Sequence, residues 1–281
     1  MPFLIVFLLL VFAFGLGASF YLTRRFRLGA VHTPAEVGLA FEEVSFPTAD
    51  GLTLHGWLVP GASLQKAVIL LHGHGGSIDY DIDFLPRLHA AGYSVLQFDF
   101  RGHGRSQGDT VTFGYLEQRD IQAAGHYLAG RGFQRIGVHG FSLGGMCALT
   151  GTPLTPEVSL VIDDAAPVRL RSAIRGWCLE RGIPAWAGRP LAWLVLAATS
   201  LRLGVNIFAY EPVRWVGRIA PRPLMLIHGE HDQYVTDFDD LLAAAHPTEV
   251  WRLPNEGHTT ACRSMPEVYW QRVIEFLNTH L

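Results

Sequence analysis

Five short, mostly continuous apolar runs constrain this chain more than anything else in it: Ala67 to Leu71, Ser94 to Phe100, Ile136 to Phe141, Val158 to Ile162 and Leu224 to Ile227. Runs of that length without polar alternation suit strands buried on both faces. Helical periodicity separates several of them, notably over Ile82 to Ala91, Leu116 to Ala129 and Phe238 to Ala245. Strand and helix alternating in this way predict an α/β domain with a mostly parallel sheet and helices on both faces. Ahead of the runs, Phe41 to Phe46 and Leu52 to Val59 alternate apolar and polar residues around Ala49-Asp50-Gly51, which predicts a hairpin with a tight turn. A chain of 281 residues accommodates this as one large domain.

One stretch breaks the rhythm. Between Pro167 and Pro221 there is no strand pattern, but Trp177, Trp186, Trp193 and Trp215 occur with a strongly apolar segment from Leu191 to Leu201. That segment is too short for a membrane span, and a long insertion in a compact α/β domain is usually a lid or binding element. A helical cap at about 168–220 is expected, its tryptophans serving packing more than substrate contact.

The N-terminus carries a second signal. Phe3 to Leu22 holds no charged residue and is long enough to cross a bilayer core as a helix. A cleaved signal peptide is the competing reading, since Gly15-Leu16-Gly17-Ala18-Ser19 offers small residues to a peptidase; the absence of an N-terminal Lys or Arg and the length of the apolar run favour an anchor. Arg24, Arg25 and Arg27 follow the span, which places the C-terminal side in the cytoplasm by charge bias. The expected organisation is a transmembrane anchor at 1–23, a linker at 24–40 and the α/β domain at 41–281. A net charge of −3 without a basic stripe elsewhere gives no reason to expect nucleic acid as a partner. Cys147, Cys178 and Cys262 are odd in number and widely spaced, so neither a disulfide framework nor a zinc site is expected.

Gly140-Phe141-Ser142-Leu143-Gly144 follows the third apolar run and precedes a small-residue helix start, where a strand-to-helix turn would lift a serine hydroxyl out as a nucleophile. A serine hydroxyl is a poor nucleophile unless a base takes its proton, and an imidazole does that best near neutral pH. His258, in Glu256-Gly257-His258 after the apolar run Val250 to Leu253, ends the last strand region. The imidazole in turn needs a carboxylate to hold its tautomer and stabilise its charge. Asp232 follows the strand Leu224 to Ile227, while Asp163 and Asp164 also end a strand and remain alternatives.

In these residues the chain resembles the α/β-hydrolase superfamily from about Phe41 to Leu281. The resemblance implies an α/β-hydrolase fold with the helical cap inserted before the acid-bearing strand, and the chain order serine, acid, histidine fits it. His72-Gly73-His74-Gly75-Gly76 is similar to that family's oxyanion loop, which implies an oxyanion hole of the His74 and Leu143 backbone N–H groups. Asp99-Phe100-Arg101-Gly102-His103-Gly104-Arg105-Ser106 is similar to the turn many members carry after the fourth strand; Asp99 and Arg101 are expected to pair and brace it. An anchor followed by this domain further resembles the Bem46-like, ABHD-type branch.

The implied activity is a serine hydrolase that cleaves an ester, thioester or amide of a lipophilic or acyl substrate, a small-molecule or lipid-like partner, without any cofactor. Two other readings stand beside it. One is a non-catalytic binding or scaffold protein on the same fold. The other is a metallohydrolase using His72, His74, His228, His231 and Asp232. Cys262, near His258, is read as a bystander thiol.

Overall fold

The computed structural model describes residues 2–27, 31–63 and 65–281, with side chains for all of these except Pro2, Leu4, Phe7 and Leu8. In chain order the elements are α1 (Pro2–Thr23), β1 (Glu42–Pro47), β2 (Thr53–Val59), β3 (Lys66–Leu71), α2 (Leu85–Ala90), β4 (Ser94–Phe98), α3 (Glu117–Gly130), β5 (Arg135–Phe141), α4 (Leu143–Gly151) and β6 (Val158–Asp164). There follow α5 (Leu170–Glu180), α6 (Ala185–Leu203), β7 (Leu224–Gly229), α7 (Phe238–Ala244), β8 (Glu249–Leu253), α8 (Ala261–Ser264) and α9 (Pro266–His280).

The strands form one eight-stranded sheet in the order β1-β2-β4-β3-β5-β6-β7-β8. β1 and β2 pair antiparallel from Glu42↔Leu58 to Pro47↔Thr53, as the hairpin pattern predicts, and β2 meets β4 antiparallel. Every later neighbour is parallel. Successive side chains of a strand point to opposite faces, and here both faces are covered. Ala67, Ile69 and Leu71 of β3 pack with Ile121, Met146 and Leu149 on one side, whereas Val68 and Leu70 pack with Leu85, Leu88 and Val273 on the other. The unbroken apolar runs follow from that two-sided burial.

Between β6 and β7 the chain forms α5 and α6 and then short 3₁₀ turns, with no strand. α6 lies against α1: Thr199 Oγ1 is 2.9 Å from Ser19 Oγ, and the Arg202 guanidinium bonds to Ser19 and Thr23. Among the described residues no helix is long and apolar enough to cross a membrane; α1 itself runs for 22 residues.

The stretch 24–40, expected as a linker, is partly docked on the domain, and within it 28–30 lie outside the described residues. Phe26 N–H donates to Gly102 O at 2.7 Å, Gly104 N–H to Phe26 O at 2.9 Å, and Val111 N–H to Thr23 O at 2.9 Å. Those backbone bonds hold residues 23–26 to the turn after β4.

Candidate active site

The turn from β5 into α4 is as tight as its glycines suggest. A Cβ on Gly140 would sit 2.3 Å from the Gly144 backbone, and one on Gly144 2.4 Å from Leu71 O, so any larger residue would push strand and helix apart. Between them Ser142 takes φ 54° and ψ −112°, a region that costs a non-glycine residue about 1–3 kcal/mol and persists only where the surroundings impose it. Its backbone is held by Ser142 N–H donating to Asp164 O at 2.9 Å. Its hydroxyl is thereby turned outward at the carboxyl edge of the sheet.

His258 reaches that hydroxyl from the loop after β8. Its Nε2 lies 2.8 Å from Ser142 Oγ, and its Nδ1 lies 2.7 Å from Asp232 Oδ2. With Nδ1–H donating to the carboxylate, Nε2 is left to accept the serine proton. The other oxygen of Asp232 accepts from Tyr234 N–H at 2.7 Å and Val235 N–H at 3.2 Å, and the carboxylate is fully buried while the imidazole stays partly open. The two loops are tied together, His231 N–H donating to Glu256 O at 2.9 Å. Tyr234, not among the residues expected at the site, lays its ring 4.8 Å from the His258 ring and donates its hydroxyl to Glu180 Oε2 at 2.6 Å. Its position two residues after Asp232 was the one available signal.

The loop after β3 forms the opposite lip. Gly73 lies beside Ser142, where an added Cβ would make an ordinary contact with the serine Cβ at 3.6 Å. Among the described residues neither His74 N–H nor Leu143 N–H donates to a protein group, whereas Gly75 N–H goes to His103 Nε2 and Gly76 N–H to Gly73 O. The His74 side chain turns away, its Nε2–H donating to Leu22 O at 2.9 Å, with its ring beside Phe26 and Phe113. Desolvation lowers its pKa, opposed by the bond to Leu22, so the imidazole is neutral.

Above Ser142 lies a cleft of ≈ 810 Å³, within the range of small-molecule sites. Two of its walls are Tyr21, Leu22, Arg24 and Phe26 at and just after the end of α1, and Leu170, Ile174, Trp177 and Leu196 from α5 and α6; the loop after β3 and Tyr234 also line it. No sequence signal pointed to the first wall.

The two alternative acids bond other groups and not the imidazole. Asp163 Oδ1 accepts from Ala166 N–H at 3.0 Å, and Asp164 Oδ2 accepts from Tyr269 OH at 2.7 Å. Burial raises the Asp163 carboxyl well above the usual range and pushes Asp164 up to about 7 against the Tyr269 hydrogen bond. Arg101 departs from expectation: it bonds to Asp50 and Asp120, with Arg101 Nη1 2.8 Å from Asp50 and Nη2 2.7 Å from Asp120, and not to Asp99. Asp99 instead accepts the Ile78 and Arg105 backbone N–H groups. Among the described residues no cluster of three or more His, Cys, Asp or Glu side chains is placed to hold a metal ion. His72 bonds Gly73 O and Phe100 N–H, and the His228 ring stacks 4.2 Å from Phe238. Cys147, Cys178 and Cys262 are all buried free thiols.

A sheet of this order with a serine at the β5–α4 bend defines an α/β-hydrolase fold. The chain belongs to the alpha/beta hydrolase family, whose sequence profile matches residues 68–272. Its solved neighbours include the Pyrococcus furiosus esterase Pf2001, at TM-score 0.74 and 28% identity over 92% of this chain and 98% of that one. Among relatives, an uncharacterized Mycobacterium tuberculosis protein is 32% identical over 82% of this chain and 76% of its own length. The alpha/beta hydrolase domain-containing protein WAV2 of Arabidopsis thaliana is 25% identical over 88% of this chain and 82% of its own.

Proposed function

We propose that this protein is a membrane-anchored serine hydrolase of the Bem46-like branch that cleaves an acyl ester or thioester through an acyl-enzyme on Ser142. The observation that carries the proposal is the unbroken relay Asp232–His258–Ser142, both links under 3 Å, at the floor of an apolar cleft. Ser142 Oγ attacks the acyl carbon while His258 Nε2 takes its proton. The charge developing on the carbonyl oxygen is received by the His74 and Leu143 N–H groups, which have no other acceptor among the described residues. His258 then protonates the departing alcohol or thiol, and a water deprotonated by the same imidazole releases the acid. Asp232, buried and held by two backbone amides, keeps the ring in the required tautomer through both halves.

The anchor proposal rests on the uncharged stretch Phe3 to Leu22, twenty residues without a charge in the sequence. Gly15, the first of the small residues that a signal peptidase would favour, is buried against Leu194 of α6 and supports a helix that is retained. Arg24, Arg25 and Arg27 next to it favour the cytoplasmic side for the hydrolase domain by charge bias. The lipophilic cleft and its position beside the anchor favour an acyl-chain substrate, with α5 and α6 acting as the cap.

Labelling of the full chain by a fluorophosphonate probe, together with turnover of a p-nitrophenyl ester, tests the reading. Both are expected in the native protein and absent in Ser142→Ala; labelling that survives the substitution would sink the nucleophile assignment.

A further inference from the structure

We infer that Phe113 is a specificity-determining residue of the cleft: its ring limits the bulk of the acyl group admitted over Ser142, and the buried Glu117 is the positioning residue that holds it there. The inference rests on the hydrolase proposed above and deepens it, because an apolar cleft alone does not say which side chain measures the acyl group.

Backbone strain is the first observation. Among the described residues four that are not glycine take a positive φ, Phe113 at 51°, Ser142 at 54°, Thr259 at 52° and Ala165 at 60°, and the first three of these line the cleft. Phe113 and Gly114, the latter at φ 91°, are the central pair of a turn closed by Tyr115 N–H donating to Thr112 O at 3.3 Å. Glycine, asparagine or aspartate ordinarily fills such positions. A bulky aromatic persists there only where its surroundings impose it, and strain of this kind gathers at sites that bind or react.

Glu117, the first residue of α3 and fully buried, imposes it. Its Oε1 accepts Thr112 N–H at 2.7 Å, while its Oε2 accepts Gly114 N–H at 2.9 Å and the Thr112 hydroxyl at 2.7 Å. One carboxylate thus grips the turn on both sides of Phe113. Helix α4 closes the back of the turn, where a Cβ on Gly114 would already crowd Thr150 Oγ1 at 3.1 Å.

Placement decides which half of the substrate the ring meets. Phe113 lies beside the His74 ring, the centroids 5.2 Å apart, on the lip across Ser142 from His258. Its neighbour Gly114 borders Met146, which lines the cleft one helical turn beyond Ser142. The leaving group has to reach His258 Nε2 to take its proton, and beside that ring stand Tyr234 and, bonded to it, Glu180. A ring on the other lip meets the acyl half.

The test measures kcat/KM of the full chain on p-nitrophenyl butyrate and octanoate, which share a leaving group, and on phenyl and naphthyl acetate, which share an acyl group. Phe113→Gly removes the ring and suits the positive φ; it is expected to raise the octanoate-to-butyrate ratio about tenfold, and Phe113→Leu to raise it about threefold. The naphthyl-to-phenyl ratio is expected to stay within about twofold of the native value in both. Should the glycine variant fail to fold, the leucine variant decides. An acyl ratio that does not move, or a naphthyl ratio that moves as far, would overturn the inference. Glu117→Gln, whose amide offers a single acceptor oxygen, is expected to raise the acyl ratio about threefold alone and not at all in the Phe113→Gly background, since coupled residues do not add. Equal loss on both acyl esters would mean that Glu117 only supports the fold and would refute its positioning role. Native turnover that survives Ser142→Ala would sink the hydrolase reading itself. Turnover that depends on Ser142, with an acyl ratio indifferent to residue 113, would sink this inference and leave that reading standing. Absence of native turnover on every ester would sink both.

Discussion

Two turns flank β3 at the carboxyl edge of the sheet, and they use their polar groups in opposite ways. The turn after β4 is saturated: both oxygens of Asp99 accept backbone amides, Ser106 Oγ bonds Asp99 O, and Arg101 is clasped by Asp50 and Asp120. Burial alone would lower the Arg101 pKa, but the two carboxylates outweigh it and hold the guanidinium well above its ordinary range. The turn after β5 keeps capacity in reserve. Ser142 sits in a strained backbone conformation, its hydroxyl points at an imidazole, and the amide beyond it has no acceptor among the described residues. Polar groups with complete partners hold a shape, whereas those left incomplete are available to a reacting substrate.

Substitutions can break or sharpen that contrast. The largest effect is expected at Ser142→Ala, which should cut turnover of a p-nitrophenyl ester by about 10⁶-fold while calorimetry finds the melting temperature nearly unchanged. Asp232→Asn should preserve the fold and lower kcat by about 10⁴-fold, because the amide favours the wrong imidazole tautomer; a burst experiment would show slowed acylation. On the saturated side the sign reverses. Asp120→Ala leaves a buried guanidinium short of one partner and is expected to cost about 3 kcal/mol in urea unfolding, with kcat per folded molecule intact. Ser142→Gly should abolish activity and raise stability by about 1 kcal/mol, since glycine accepts the positive φ without strain. A stability loss in that variant would mean the bend is not strained.

The smallest effect is a slope with pH. Asp164 holds its proton up to about 7 in the folded protein, whereas an unfolded carboxyl has lost it by about 4. Across that window the unfolded chain binds fewer protons, so the contribution of Asp164 to stability is complete below about 4 and declines as pH rises through about 7. Asp164→Asn removes one titrating group, and melting temperature against pH should fall less steeply than in the native chain.

The strands were legible because burial on both faces leaves no polar alternation, so β3 and β5 stand out as plain apolar runs. His258 was legible for a similar reason: it is the histidine that follows the last strand. The acid was legible less sharply: Asp232 is the expected one, but Asp163 and Asp164 end a strand too, and what separates them is which carboxylate reaches the imidazole, which a one-dimensional pattern does not carry. The Arg101 partners were invisible as well, because Asp50 lies in the distant hairpin turn. Likewise the apolar segment Leu191 to Leu201 was plain, but which of its residues would face α1, the cleft or the outside depended on how α6 docks.

The bond from His74 Nε2 to Leu22 O, with Tyr21 and Phe26 beside it, makes the end of α1 and the residues just after it part of the reaction vessel. Clipping them to obtain water-soluble material, an ordinary laboratory step, would strip one side from the chamber and free the ring that borders the oxyanion loop. Specificity measured on such a shortened protein would describe a different, wider enzyme.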